Sequence, residues 1–109
     1  MAVSNDFLQF VLDQLSGWGT VNIKKMFGGV ALYQEELAFA MLMNDEVYLK
    51  VDDFTEKKFI KAGSVQLKLF KNNAVVVSFY SLPSEVLEDA DLFKDWSKEA
   101  FEIQKKRNL

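Results

Sequence analysis

The residues able to do chemistry in this chain of 109 residues fall into three groups. Gly28 and Gly29, within "KKMFGGVALY", resemble a loop that brings backbone amides close to a phosphate. Asp52 and Asp53, with Asp45 and Glu46 a strand earlier, are carboxylates of the kind that hold a cation. Lys24, Lys25, Lys57, Lys58, Lys61, Lys68 and Lys71 offer positive charge to a polyanion. Each group also has a plainer, architectural reading.

A Walker-type phosphate loop ends in Gly-Lys-Ser/Thr and opens a helix, which these glycines do not. The dinucleotide fingerprint fails as well, because Gly17-Trp18-Gly19 is followed three positions later by Asn22. Two glycines between apolar runs suit a tight hairpin turn, since primed turns need positive φ. The carboxylates lack calcium-loop spacing, and Asp52 stands where a helix N-cap is expected. The lysines are scattered over several elements, and each reads by itself as solvated surface. Trp18, flanked by two glycines, is either an anchor for a partner or a lid on the core. It joins Lys24 and Lys25 as a candidate partner contact. Asp52 with Lys50 is the pair through which carboxylate and lysine catalysis would run, and that needs a pocket that perturbs pKa values.

Composition narrows the choice. The chain has no histidine and no cysteine. A Ser-His-Asp or Cys-His hydrolase cannot be assembled from it, nor can a disulfide or a thiolate metal site. Net charge is −3, and the chain's one arginine is Arg107. Nucleic-acid binding runs on neutralising phosphates, so this balance argues against direct DNA binding. No apolar run approaches the ~18 residues that span a bilayer. The opening "MAVSNDFLQF" lacks the pattern of a signal peptide, and with the missing cysteines this predicts a cytoplasmic protein. Half the residues are hydrophobic, ten of them Phe, which is ample for the core of one domain.

Periodicity supplies the elements. Ser4 caps an amphipathic helix with Phe7, Phe10, Val11 and Leu15 on one face, stopping at Ser16-Gly17. Strands are predicted over Thr20 to Phe27 and Val30 to Tyr33. In "LAFAMLM", Leu37, Phe39, Met41 and Met43 point one way and Ala38, Ala40 and Leu42 the other. In "EVYLKV", Val47, Leu49 and Val51 point inward, with Tyr48 and Lys50 outward. Asp52 caps a short helix through Ala62, with Phe59 and Ile60 as its apolar edge, and Gly63 ends it. Strands Gln66 to Phe70 and Ala74 to Tyr80 are joined at Asn72-Asn73. Pro83 opens a turn of helix at its first position. A last helix over about Asp91 to Lys106 carries Leu92, Phe93, Trp96, Ala100 and Ile103 as its apolar stripe. The expectation is one α+β domain, an antiparallel meander with N-terminal, central and C-terminal helices packed on it.

The motif residues carry a family resemblance. Met26-Phe27-Gly28-Gly29, Leu32-Tyr33, Phe39, Tyr48-Leu49-Lys50-Val51-Asp52, Gly63-Ser64, Phe79-Tyr80, Pro83 and Leu87 to Asp89 fall in the order and spacing of one pattern. That pattern is similar to the N-terminal domain of the TfoX/Sxy family, over nearly the whole chain. One departure is "VQLKLFKNN" after Gly63-Ser64, where relatives commonly have Pro-Phe and an aromatic. Full-length regulators carry a second, C-terminal domain, and the 109 residues resemble the first. The resemblance implies an α+β sandwich related to small chaperone-like dimers, with no catalysis and no cofactor. It implies a regulator of natural competence acting with a cyclic-AMP-responsive transcription activator or RNA polymerase. The expected function is a non-enzymatic protein-interaction module in transcriptional regulation, forming a homodimer. The alternatives are a nucleic-acid binder using a lysine face and a small carboxylate/lysine enzyme.

Overall fold

The computed structural model describes residues 3–26, 28–68 and 75–107. In chain order the elements are α1 (Asn5–Gln14), β1 (Asn22–Met26), β2 (Gly29–Gln34), β3 (Leu37–Met43), β4 (Glu46–Lys50), α2 (Glu56–Lys61), β5 (Gln66–Lys68), β6 (Val75–Ser81), α3 (Ser84–Leu87) and α4 (Ala90–Arg107). Among the described residues the strands form one antiparallel sheet in the order β1-β2-β3-β4-β6-β5. The fold is α+β. The meander runs unbroken from β1 to β4, and β6 then inserts between β4 and β5. The predicted joint at Asn72-Asn73 lies outside the described residues.

Local chemistry sets the boundaries. Ser4 has extended backbone, and its hydroxyl accepts the Phe7 amide at 3.1 Å, so α1 begins as a capped helix. At the entry to α2, the Asp52 carboxylate accepts the amides of Phe54 (3.1 Å) and Thr55 (2.8 Å). The Thr55 hydroxyl returns the favour to the Asp52 amide at 3.1 Å. Asp52 therefore caps the entry turn, and the regular helix starts later than predicted, at Glu56. The Thr55 amide, before any other cause, holds the Asp52 carboxyl below its ordinary range. Pro83 stands one residue before α3, with ψ 141°, and not at its first position. The Asp89 carboxylate accepts the amides of Asp91 and Leu92 and so caps α4. The basic last turn of α4, Lys105 to Arg107, complements the helix dipole.

All the larger helices share one face of the sheet. Val11 and Leu15 of α1, Phe59 of α2, and Phe93, Ala100 and Phe101 of α4 pack there against Val30, Leu32, Leu42, Val47, Leu49 and Tyr80. A β-bulge in β3 decides what joins them. Leu32 pairs with Ala40 but Tyr33 pairs with Ala38, so Phe39 is an extra residue. Phe39 and Ala40 both enter the helix-side core, while Met41 and Met43 pack on the opposite face. The expected alternation of "LAFAMLM" thus fails at one point: Phe39 and Met41 point to opposite sides. Trp18 meets Phe39 edge-on at 5.0 Å and Phe101 at 5.8 Å. Phe59 and Trp96 tie α2 to α4 edge-to-face at 4.9 Å. Such pairs contribute about 0.5–1.5 kcal/mol each beyond area burial. Three residues assigned to apolar faces, Phe10, Ile60 and Leu92, are exposed, whereas Phe101 and Ser97, absent from the predicted stripe, are buried. Among the described residues no helix is long and apolar enough to cross a membrane.

The two glycines have different reasons. Gly28 takes φ +79°, which only glycine adopts freely. Gly29 pairs with Met26 in the hairpin, and a Cβ there would collide with the Leu42 carbonyl oxygen of the neighbouring strand layer. Gly29→Ala is expected to destabilise the fold by about 1–3 kcal/mol in urea titration, because backbone must move to admit the methyl. Gly17→Ala, where the nearest contact is an ordinary one with the flexible Lys94 ammonium, is the control and should stay within about 0.5 kcal/mol. Equal stability of the two variants would show that the close approach at Gly29 is absent.

Asp52→Ala should cost about 1 kcal/mol at pH 7 through loss of the cap. Because the folded pKa is lowered, this contribution is whole above the unfolded value of about 3.9 and disappears as pH falls through the folded one. The stability gap between wild type and variant should therefore close in acid. A gap independent of pH would mean that the carboxylate is not what stabilises the turn.

Candidate interaction cleft

The turn out of α2 builds a cleft on the surface. Gly63, at φ +85°, reverses the chain, its amide donating to the Ile60 carbonyl and that of Ser64 to the Phe59 carbonyl, both at 3.0 Å. The chain then locks to the end of β6. The Ser81 amide donates to the Val65 carbonyl at 2.8 Å, and the Val65 amide to the Ser81 hydroxyl at 3.0 Å. Ile60 and Val65 are thereby brought to one cleft of about 630 Å³, shared with Met43, Tyr48 and Tyr80 and with Gln66 and Lys68 of β5. Ile60 is 54% exposed and Val65 59%. Among the described residues β5 pairs with β6.

Two motif tyrosines from different strands meet in this cleft. Burial, then the charge of Glu46, raises the pKa of Tyr48. Burial, then Glu56, raises that of Tyr80, whose hydroxyl lies 3.4 Å from a Glu56 carboxylate oxygen. Both phenols accordingly stay protonated at neutral pH, where they are hydrogen-bond donors on apolar rings. Exposed aliphatic side chains beside neutral phenols suit contact with another polypeptide.

The other residues singled out from sequence do not converge there. Leu49 is core. Met26 and Tyr33 pack on the sheet face away from the helices. Gly28 and Gly29 border a separate hollow with Val3, Leu8 and Lys25. Asp52 and Pro83 act at helix entries, and Gly63 at a helix exit. Phe27 and Lys71 lie outside the described residues. Trp18 is half-buried with its ring against the core, and its carbonyl accepts Gln34 Nε2 at 2.8 Å. Lys24 pairs opposite Ala31 and Lys25 opposite Val30, so they project from opposite faces of the exposed strand β1. Lysines there guard a sheet edge against unwanted pairing. Lys58 is occupied, 2.6 Å from Glu99 and over the Trp96 ring at 4.2 Å. The carboxylates disperse in the same way, Asp45 accepting the Ser4 amide at 2.9 Å while Asp52 serves its turn.

Lys50 is the exception to expectation. Alternation sends it away from the helix-side core, yet it is only 5% exposed, and its ammonium lies 5.5 Å from the centre of the Phe79 ring. Burial, then the nearby charge of Arg107, lowers its pKa. The outward-facing side of this sheet is itself apolar, which a period of two cannot reveal. Ile60 and Val65 were also missed as surface features. For Ile60 a signal existed, since it adjoins Phe59 and neighbouring helix positions cannot share a face. Phe54, 82% exposed beside the Asp52 turn, carried none.

Comparison with known proteins agrees with this architecture. No curated protein matches the chain. Residues 13–103, most of its length, match the TfoX N-terminal domain, and the match takes in both glycines, both cleft tyrosines and Lys50. The chain belongs to the TfoX N-terminal domain family.

Proposed function

We propose that this domain is a non-enzymatic protein-interaction module that acts in the cytoplasm in transcriptional regulation of the natural-competence type, and that the cleft beside β5 holds its partner. The observation that carries the reading is the cleft itself: two exposed aliphatic side chains, Ile60 and Val65, beside two neutral tyrosines. Such a surface matches the amphipathic, aromatic centre of protein interfaces. Membership of the family supports the regulatory half. The partner is a transcription activator responsive to cyclic AMP or an RNA polymerase subunit, and the domain works as a homodimer. Lys24 and Lys25 diverge across β1, which gives no support to a lysine face for DNA.

The test is affinity capture of the tagged chain from its native cells, with mass spectrometry, alongside the double variant Ile60→Asp, Val65→Asp. Both sites are exposed, so the variant should keep its circular dichroism spectrum and melting temperature. The expected result is enrichment of an activator or polymerase subunit by wild type and its loss in the variant. Equal enrichment by both would remove the cleft from the contact, and enrichment of neither protein class would overturn the regulatory reading. Light scattering on a size-exclusion column should return twice the chain mass, and a monomer at all concentrations would overturn the dimer.

A further inference from the structure

Among the described residues, three of the seven exposed large apolar side chains, Phe54, Ile60 and Val65, lie between positions 54 and 65. Ile60 and Val65 belong to the β5 cleft, at the exit of α2. Phe54 stands at the entrance, 82% exposed, with its amide donating to the Asp52 carboxylate at 3.1 Å. A ring presented on a turn that is already ordered loses little entropy when another surface covers it. The two ends of α2 share one surface. Glu56, in its first turn, lies 3.4 Å from the Tyr80 hydroxyl, and Tyr80 lines the cleft together with Ile60 of the last turn.

Charge is sorted along the same stretch. The exposed Asp52 and Asp53 precede Phe54, and Glu56 follows two residues later. Lys57 and Lys61 come next on the exposed side of α2, and Lys68 lines the cleft. Glu46, near Tyr48, is the acid on the β4 side. An aromatic knob among carboxylates thus sits on the same patch as an apolar cleft flanked by lysines. An isologous contact needs that combination, because each copy must both give the knob and receive it. A benzene ring fills a cavity of about 150 Å³. A phenyl ring therefore takes a minor part of a cleft of about 630 Å³ and leaves room for a further polypeptide.

We propose that two copies of the chain pair through antiparallel α2 helices about a two-fold axis, with Phe54 of each seated against Ile60 and Val65 of the other and Asp53 facing Lys61. Each cleft is then built from two chains, and the regulatory partner meets Phe54 of the second copy as well as the tyrosines of the first. The inference rests on the homodimer and the cleft of the proposed function and names the surface that joins them.

The test follows dimerisation of the full chain by light scattering over a concentration series. Phe54→Ser should weaken the dimer at least about tenfold. Its circular dichroism spectrum should not change, because the ring is exposed in the single chain. Asp53→Lys and Lys61→Asp should each weaken the dimer alone, since like charges then face each other at both contacts. An equimolar mixture of these two variants should dimerise again as a mixed pair, because both contacts then join opposite charges. Damage to the fold cannot produce that recovery. Phe54→Ser should also lower capture of the regulatory partner, although Ile60 and Val65 are intact. A wild-type dimer that Phe54→Ser leaves unchanged, or charge variants that do not recover on mixing, would overturn the α2 interface and leave the homodimer standing. Undiminished partner capture by Phe54→Ser would overturn the shared cleft. A wild type monomeric at all concentrations would overturn homodimer and interface together. Recovery on mixing supports the interface whichever proteins are captured, so failure of the regulatory reading is a separate result.

Discussion

One extra residue in β3 governs which side of the sheet each neighbour serves. Because Phe39 is unpaired between Ala38 and Ala40, two consecutive residues face the helices. Phe39 then becomes the ring on which Trp18 closes, and Trp18 in turn meets Phe101 of α4. The long connection after α1 and the last helix are thus fastened at the same point. Beyond the bulge the alternation resumes in the opposite sense, which sends Met41 and Met43 to the far face. Without that switch, the helix side would have to accept the methionines and the far side would lose its floor.

The far face gives the sheet a second, smaller apolar layer, with no helix of the described residues against it. Ala31, Met41, Met43 and Leu67 are buried there, with Met26, Tyr33, Tyr48, Val76 and Phe79 beside them. Small alanines next to flexible methionines leave free space where larger branched residues would close it. The helix side is the reverse: aromatic rings interlock, and the buried Ser97 hydroxyl has no hydrogen-bond partner among the described residues. The tight face supplies the rigidity of the fold, and the loose face and the β5 margin leave surface for binding.

Much of this was legible in the residues. Ser4, Asp52, Gly28 and Gly63 announce their turns because caps and positive φ are local requirements. The alternation of β4 placed Val47, Leu49 and Val51 correctly, since its period is unbroken. Long-range matters were not legible. A bulge is fixed by pairing with another strand, so nothing within "LAFAMLM" reveals that Phe39 is the extra residue. The burial of Lys50 involves Phe79, distant in sequence. Likewise the cleft exists because Gly63 folds Val65 onto Ser81 while β6 brings Tyr80 beside β4. The motif named Tyr48 and Tyr80 without indicating that they share a site.

The divergence of Lys24 and Lys25 bears on symmetry. If two copies met edge to edge across a two-fold axis at β1, each face of the joint sheet would carry lysines from both strands. The strand, Asn-Ile-Lys-Lys-Met, has no acidic residue to answer them. An isologous continuous sheet through β1 is therefore opposed by like charge on both of its faces. A closed dimer has to use a face of the domain or its β5 margin, and assembly into open-ended ribbons of sheet is blocked at one end of every subunit.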